Sequence, residues 1–167
     1  MDPELHTPTS SFAEEISSIP GGEGINKCIQ CGLCTASCVI ARTTDRYHPR
    51  KLIQKILLGK RNEVLTDRQP WLCMTCRMCE ERCQEGVSPA EIFHAVRQIA
   101  AREGHVPTSF RKAVDKVLND GWMLADAYSD WNEDERADLG LSPDLGWNKT
   151  FANRVRRRYL SEGSAVA

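Results

Sequence analysis

Apolar residues along the chain recur at helical spacing and nowhere alternate over a useful length, so every element they predict is a helix. Ser11-Phe12-Ala13-Glu14 has the form of a capping box, in which a Ser oxygen and a Glu carboxylate satisfy free backbone donors at a helix start. Phe12, Ile16 and Ile19 then share one face, and Pro20-Gly21-Gly22 stops the helix. Gly21, Gly22 and Gly24 read as a turn, since no strand precedes them and a G-x-G-x-x-G spacing fails at Lys27. A second amphipathic segment begins at Pro49 and carries Leu52, Ile53, Ile56 and Leu57 as far as Gly59. Ser88-Pro89-Ala90-Glu91 opens a third, with Ser as N-cap, Pro at the first helical position and Glu closing the box. Its stripe is Ile92, Phe93, Val96, Ile99 and Ala100, and Gly104 ends it. A fourth is expected after Thr108, with Phe110, Val114, Val117 and Leu118 facing inward and Gly121 closing it. Beyond about Trp122 the periodicity fades through an acidic stretch, Asp130 to Asp138, and a basic one, Asn153 to Arg158.

These patterns predict an all-α chain in three parts: an N-terminal helix and linker over 1–24, a helical domain over 25–122, and an extended tail over 123–167 that would lie on a partner. Within the middle part a cysteine group followed by an amphipathic helix occurs twice, at 28–58 and 73–103. A repeat of about 45 residues in two copies suggests a core of two equivalent halves and not a solenoid.

Composition narrows the function. Aromatics make up only 7% of the 167 residues, so the core is modest, and a modest core is often stapled by bound metal. A net charge of −1 gives no bulk reason to expect nucleic acid or anionic lipid as a partner. The sequence from Met1 to Pro8 has neither the basic nor the apolar stretch of a signal peptide. No apolar run approaches the roughly 20 residues of a membrane helix, so the expectation is a cytoplasmic protein without membrane insertion. In a reducing compartment its eight cysteines are expected to bind metal or do chemistry, not to form disulfides.

Those cysteines fall into two groups of identical spacing, C-x₂-C-x₂-C-x₃-C, with none left over: Cys28, Cys31, Cys34 and Cys38, then Cys73, Cys76, Cys79 and Cys83. Three thiolates two residues apart can wrap a tight loop around three iron corners of a cubane, while a fourth, four positions on, points away. In two-cluster ferredoxins that fourth Cys ligates the other cluster. The same logic assigns Cys28, Cys31, Cys34 and Cys83 to one [4Fe–4S] cluster, and Cys73, Cys76, Cys79 and Cys38 to a second. Structural zinc would leave a third Cys in each group surplus. Disulfides fit the compartment poorly, and a single shared cluster with redox-active spare thiols is the remaining alternative. The repeated motif favours two clusters over all three.

Two four-cysteine groups joined by a helical segment resemble the α-helical ferredoxin module, and within it the chain looks most like the C subunit of heterodisulfide reductase. The words that carry this are Lys27-Cys28-Ile29-Gln30-Cys31-Gly32, Pro49-Arg50-Lys51-Leu52-Ile53, Gly59 and Trp71-Leu72-Cys73. Cys83-Gln84-Glu85-Gly86-Val87, Ala101-Arg102-Glu103-Gly104-His105 and Leu139-Gly140-Leu141 also match. In one respect the chain departs: Val39 and Gln84 follow the fourth cysteines, where the family usually has proline. A methanogen-type reductase and a related complex acting on other sulfur compounds both remain open on this pattern. The resemblance implies a non-catalytic electron-relay component of an oxidoreductase, an obligate hetero-oligomer with two partners. These are the family's flavin and iron–sulfur protein, its A subunit, and its cysteine-rich B subunit, on which the disulfide is reduced. The chain lacks a Cys-Cys pair, a dinucleotide fingerprint and a spare cysteine nucleophile, as a relay would. The iron–sulfur subunit of a quinone-linked dehydrogenase, of succinate, fumarate or glycolate oxidase type, is the alternative. The absence of any Cys before Cys28 counts against its [2Fe–2S]-bearing forms.

Other residues have plainer readings. Leu33, Trp71, Met74 and Met78 sit among or beside the cysteines and are expected to shield clusters or simply fill the core. Arg77, Glu80, Glu81 and Arg82 read as solvated charge, His48 as structural. Arg50, Lys51, Lys55, Lys60 and Arg61 form a basic side that could dock a partner.

Overall fold

Pro49 and Pro89 each open a helix that follows a cysteine group, and these two helices frame the fold. The computed structural model describes residues 11–121, 137–141 and 148–159. The chain forms two compact units, one up to His105 and one from Val106. No strand occurs among the described residues, in keeping with the all-α expectation.

In the first unit, α1 (Ser11–Ser17) buries Phe12 and Ile16, and the chain then turns through Gly21 and the fully packed Gly22. After the first cysteine loop come α2 (Leu33–Ala36) and α3 (Val39–Thr43). In α4 (Pro49–Leu57), proline sits at the start, where a missing N–H costs nothing, and Leu52, Ile53 and Ile56 are at most 1% exposed. Each such side chain contributes about 1.5–3 kcal/mol of burial. Gly59, at φ 71, takes the left-handed conformation that ends the helix. A short helix not expected from the pattern, α5 (Arg61–Thr66), follows and buries Val64 and Leu65.

The second half repeats the plan with α6 (Met78–Glu81) and α7 (Pro89–Arg102). Ile92, Phe93, Val96, Ile99 and Ala100 of α7 all enter the core, where Phe93 meets Tyr47 edge-on at 6.1 Å between ring centroids. The box predicted at Ser88 does not form: Ser88 makes no capping bond, and Glu91 instead pairs with Arg77 of the second cysteine loop. Arg61, at the start of α5, pairs with Glu15 of α1 and with Glu103, the C-cap of α7, while lying over the Phe12 ring.

The second unit holds α8 (Thr108–Asp120), ended by Gly121 at φ 82, and α9 (Lys149–Tyr159), which packs against α8 with Leu118 and Ala152 buried. Two expectations change here. Phe110 and Val114, expected to face inward, are 42% and 44% exposed, so the packed side of α8 turns on Leu118. Residues 123–167, read as extended, include the helix α9, whose Arg156 donates a hydrogen bond to Asn119. The capping side chain of Ser11, and most of the acidic stretch from Asp130 to Asp138, lie outside the described residues.

Candidate metal centre

Each cysteine loop must reverse twice within seven residues to turn three thiols toward one point. The backbone does so with left-handed residues on either side of the second cysteine. These are Gln30 at φ 59 and Gly32 at φ 89 in the first loop, and Thr75 at φ 56 and Arg77 at φ 62 in the second. The two loops share this geometry in register. Glycine takes it freely, whereas an L-residue with a side chain does so at a cost of roughly 1–2 kcal/mol. Arg77 is held there by Glu80 and Glu91, so two of the four charges read as solvated, Arg77 and Glu80, instead fasten the loop, while Glu81 and Arg82 are exposed.

Gly32 and Arg77 then serve as the N-caps of α2 and α6, which carry Cys34 and Cys79. These two short helices pack against each other. The first and last cysteine of each group, Cys28, Cys38, Cys73 and Cys83, rest partly buried on the hydrophobic core, while Cys31 and Cys76 are exposed. None of the eight is in a disulfide.

Two open-sided pockets result. One, of about 450 Å³, is lined by Cys28, Cys31, Cys34 and Cys83. The other, of about 570 Å³, is lined by Cys38, Cys73, Cys76 and Cys79. The fourth cysteine of each sequence group thus stands in the pocket of the other group. Leu33 lines the first pocket and Met74 and Met78 the second, as exposed rims and not as buried shields; Trp71 packs on the core. His48 stands at the N-cap of α4, its backbone N–H donating to Gln69 Oε1 at 3.3 Å. Of the basic side, Lys55 pairs with Glu63 and Asp67, Lys60 with Glu63, and Arg61 as above.

The sulfurs also receive hydrogen bonds. Gln30 Nε2 donates to Cys28 Sγ and the Val87 backbone N–H to Cys83 Sγ, both at 3.3 Å. Burial raises the Cys34 pKa, against the lowering effect of a hydrogen bond with Thr35. Burial, followed by the neighbouring Cys73, Glu80 and Cys34, pushes Cys79 up to about 12. Tyr47, buried beside the second pocket and hydrogen-bonded to Cys73, is raised as well, chiefly by burial.

This donor set fits an iron–sulfur cluster. Four sulfurs around one pocket, three of them half-buried, repel one another as thiolates, and positive charge among them is what lets them ionise together. Among the described residues, no three His, Cys, Asp or Glu side chains converge closely enough to hold a single metal ion. The sulfurs ring a space instead, as a multi-atom group requires.

Comparison with known proteins agrees with this chemistry. A family model described as a 4Fe-4S dicluster domain matches residues 24–87, so this stretch is an iron–sulfur domain. In Methanosarcina acetivorans, the C subunit of the ferredoxin/F420H2-dependent CoB-CoM heterodisulfide reductase is 33% identical over 134 residues. The alignment covers 79% of this chain and 81% of that one.

The chain belongs to the heterodisulfide reductase C-subunit family.

Two further relatives from that family match chiefly through shorter segments. In Methanocaldococcus jannaschii, the second iron–sulfur C subunit of CoB–CoM heterodisulfide reductase is 41% identical over 99 residues, 59% of this chain and 52% of that one. A protein of Archaeoglobus profundus, named as similar to the heterodisulfide reductase C subunit, is 40% identical over 89 residues, 53% and 47% of the two chains. The present chain thus spans about half the length of those two proteins. No described helix is long and apolar enough to cross a membrane.

Proposed function

We propose that the chain is the electron-relay component of a heterodisulfide-reductase-like complex, holding one [4Fe–4S] cluster on Cys28, Cys31, Cys34 and Cys83 and a second on Cys73, Cys76, Cys79 and Cys38. The observation that carries this reading is the composition of the two pockets, each taking three cysteines from one loop and its fourth from the other. When bound, such clusters supply reversible electron storage at potentials between roughly −700 and +450 mV, set by charge, hydrogen bonds and exposure. The chain's own part is to hold the sulfurs on the core, to donate hydrogen bonds to them, and to bring the two sites together through the α2–α6 contact. Its partners, by kinship with the family, are a flavin-bearing A subunit and a cysteine-rich B subunit. The disulfide is reduced on the latter, and this chain supplies no catalytic residue. Eight free thiols suit a reducing, cytoplasmic setting.

Anaerobic purification tests the reading. The expected result is a brown protein with about eight irons and eight labile sulfides per chain, drawing down flavin- and cysteine-rich partners. Cys38→Ala should disturb the cluster held by residues 73–79. Zinc without sulfide, or damage confined to the 28–34 site, would overturn it.

A further inference from the structure

The two halves of the iron–sulfur domain share a backbone plan but not the side chains they turn toward their pockets. α4 and α7 each begin with proline, and the residue after it lines a pocket: Arg50 the first, Ala90 the second. The Arg50 backbone N–H is fixed by Thr35 Oγ1 at 2.9 Å, between Cys34 and Cys38. Its side chain runs along the loop so closely that a Cβ on Gly32 would stand 3.5 Å from Arg50 Cδ and 3.9 Å from Nε. The guanidinium makes no ion pair or hydrogen bond with any described residue, so its charge is not spent elsewhere in the fold. Glu85, the one carboxylate lining that pocket, is exposed and unpaired with it.

The second pocket is built differently. Its lining cation, Arg77, is met by two carboxylates, Glu80 and Glu91. Glu80 is only 15% exposed in its side chain, and its Oε1 is buried with no hydrogen-bond partner among the described residues. It stands next to Cys79 in sequence, on the short helix α6 that carries that thiol. Arg97 reaches this loop too, but it donates to the Cys73 carbonyl and the Thr75 hydroxyl rather than lining the pocket. The donors within hydrogen-bond distance of a cysteine sulfur, Gln30 Nε2 and the Val87 N–H, both line the first pocket.

Reduction adds one negative charge to a site. Nearby cations and donors to sulfur favour it, and buried carboxylates oppose it. We propose that Arg50 makes the Cys28–Cys31–Cys34–Cys83 site the more easily reduced of the two, and that Glu80 holds the other site at the lower potential. An electron entering from a one-electron donor, whether dithionite in solution or a redox centre of a partner protein, then comes to rest at the Arg50 site. The inference rests on the ligand assignment proposed above.

The test is an anaerobic redox titration of the cluster-loaded full chain with dithionite, followed by electron paramagnetic resonance. Cys31→Ser, which touches only the first pocket, identifies that site's midpoint, expected to be the higher. Arg50→Ala should lower the equilibrium constant for its reduction at least tenfold, a shift of about 59 mV for a one-electron couple, and leave the other midpoint in place. Arg50→Lys should restore most of the shift, and Glu80→Gln should raise the lower midpoint alone. The proposal is overturned if the Cys31-dependent midpoint is the lower one, or if Arg50→Ala moves the other midpoint or neither. Should Arg50→Ala fail to load iron, Glu80→Gln decides, and an unmoved lower midpoint refutes it. Loss of both signals in Cys31→Ser would instead strike at the ligand assignment.

Discussion

Arg61 offers the sharpest test of how the small core is held together, and the decisive substitution is to lysine. Its guanidinium faces Glu15 as a two-pronged fork, Nε to Oε2 at 2.8 Å and Nη2 to Oε1 at 2.9 Å, and reaches Glu103 through Nη1 at 3.1 Å. Its central carbon stands 5.8 Å from the Phe12 ring centroid. The Arg61, Glu15 and Glu103 side chains are 31%, 36% and 38% exposed, so water screens both ion pairs. Each is therefore placed at the surface value of about 0.2–1 kcal/mol. A cation over an aromatic face adds about 0.5–1 kcal/mol. Arg61→Ala should then destabilise the first unit by about 1–3 kcal/mol, at about 4–8 °C of melting temperature per kcal/mol for a domain of this size.

Lysine keeps the charge but is a point donor, and it cannot hold the fork on Glu15 while reaching Glu103. Arg61→Lys should therefore recover less than half of what alanine loses. Arg61, through its hydrogen bond and charge, holds the Glu103 carboxyl below the ordinary carboxylate range. A depressed pKa stabilises fully above the unfolded value of about 4.3, and that share is lost only as pH falls through the folded value. At pH 7 all of it is present. The assay is an anaerobic melt of the cluster-loaded chain at pH 7 by circular dichroism, in low salt and in 1 M salt, where the Debye length shrinks to about 3 Å. A lysine variant that melts like the parent, or an alanine deficit untouched by salt, would refute the reasoning.

Two other substitutions separate backbone from side-chain effects. Gly22 is buried, and a Cβ there would overlap the Ile16 carbonyl oxygen, which belongs to backbone and cannot yield. Gly22→Ala should lower the melting temperature well beyond Gly86→Ala, whose added methyl meets nothing within 4 Å and costs only the roughly 1–2 kcal/mol of its φ of 66. Phe93→Ala should cost about 3–5 kcal/mol from the core, measured by the same melts. Leu58→Ala, at a position 59% exposed, should stay within about 0.5 kcal/mol.

What the sequence made legible follows from how local each signal is. α1, α4 and α7 could be read because their stripes run for two turns or more and proline and glycine punctuate them. The motif spacing named all eight cysteines, and the four-residue step from Cys34 to Cys38 and from Cys79 to Cys83 marked the crossover seen in the pockets. α5 escaped because its six residues carry only the adjacent pair Val64 and Leu65, too short for periodicity. α9 was hidden by charge: Arg154, Arg156, Arg157 and Arg158 dominate it, although Phe151 and Val155 stand at helical spacing. Contacts across the chain left no local trace. Nothing in Pro49-Arg50 announces that Arg50 lies along Gly32, and Glu91 read as a capping residue until Arg77 claimed it.

The pseudo-symmetry therefore lives in the backbone and the asymmetry in a few side chains. Left-handed turns at Gln30, Gly32, Thr75 and Arg77, and proline at the heads of α4 and α7, repeat in both halves and give two pockets of one design. In the relay proposed above, unequal potentials would give a single stored electron a preferred resting site. The two halves differ in the residue after each proline, Arg50 at the first pocket against Ala90 at the second, and in Gln30 against Thr75 at the first left-handed position of each loop. Each half lends its last thiol to the other pocket, so a change at Cys38 or Cys83, unlike one at Cys31, falls on the neighbouring group's pocket. On the ligation proposed above, a change at Arg50 would tune one site and leave the scaffold in place, whereas a change at Cys38 or Cys83 would not.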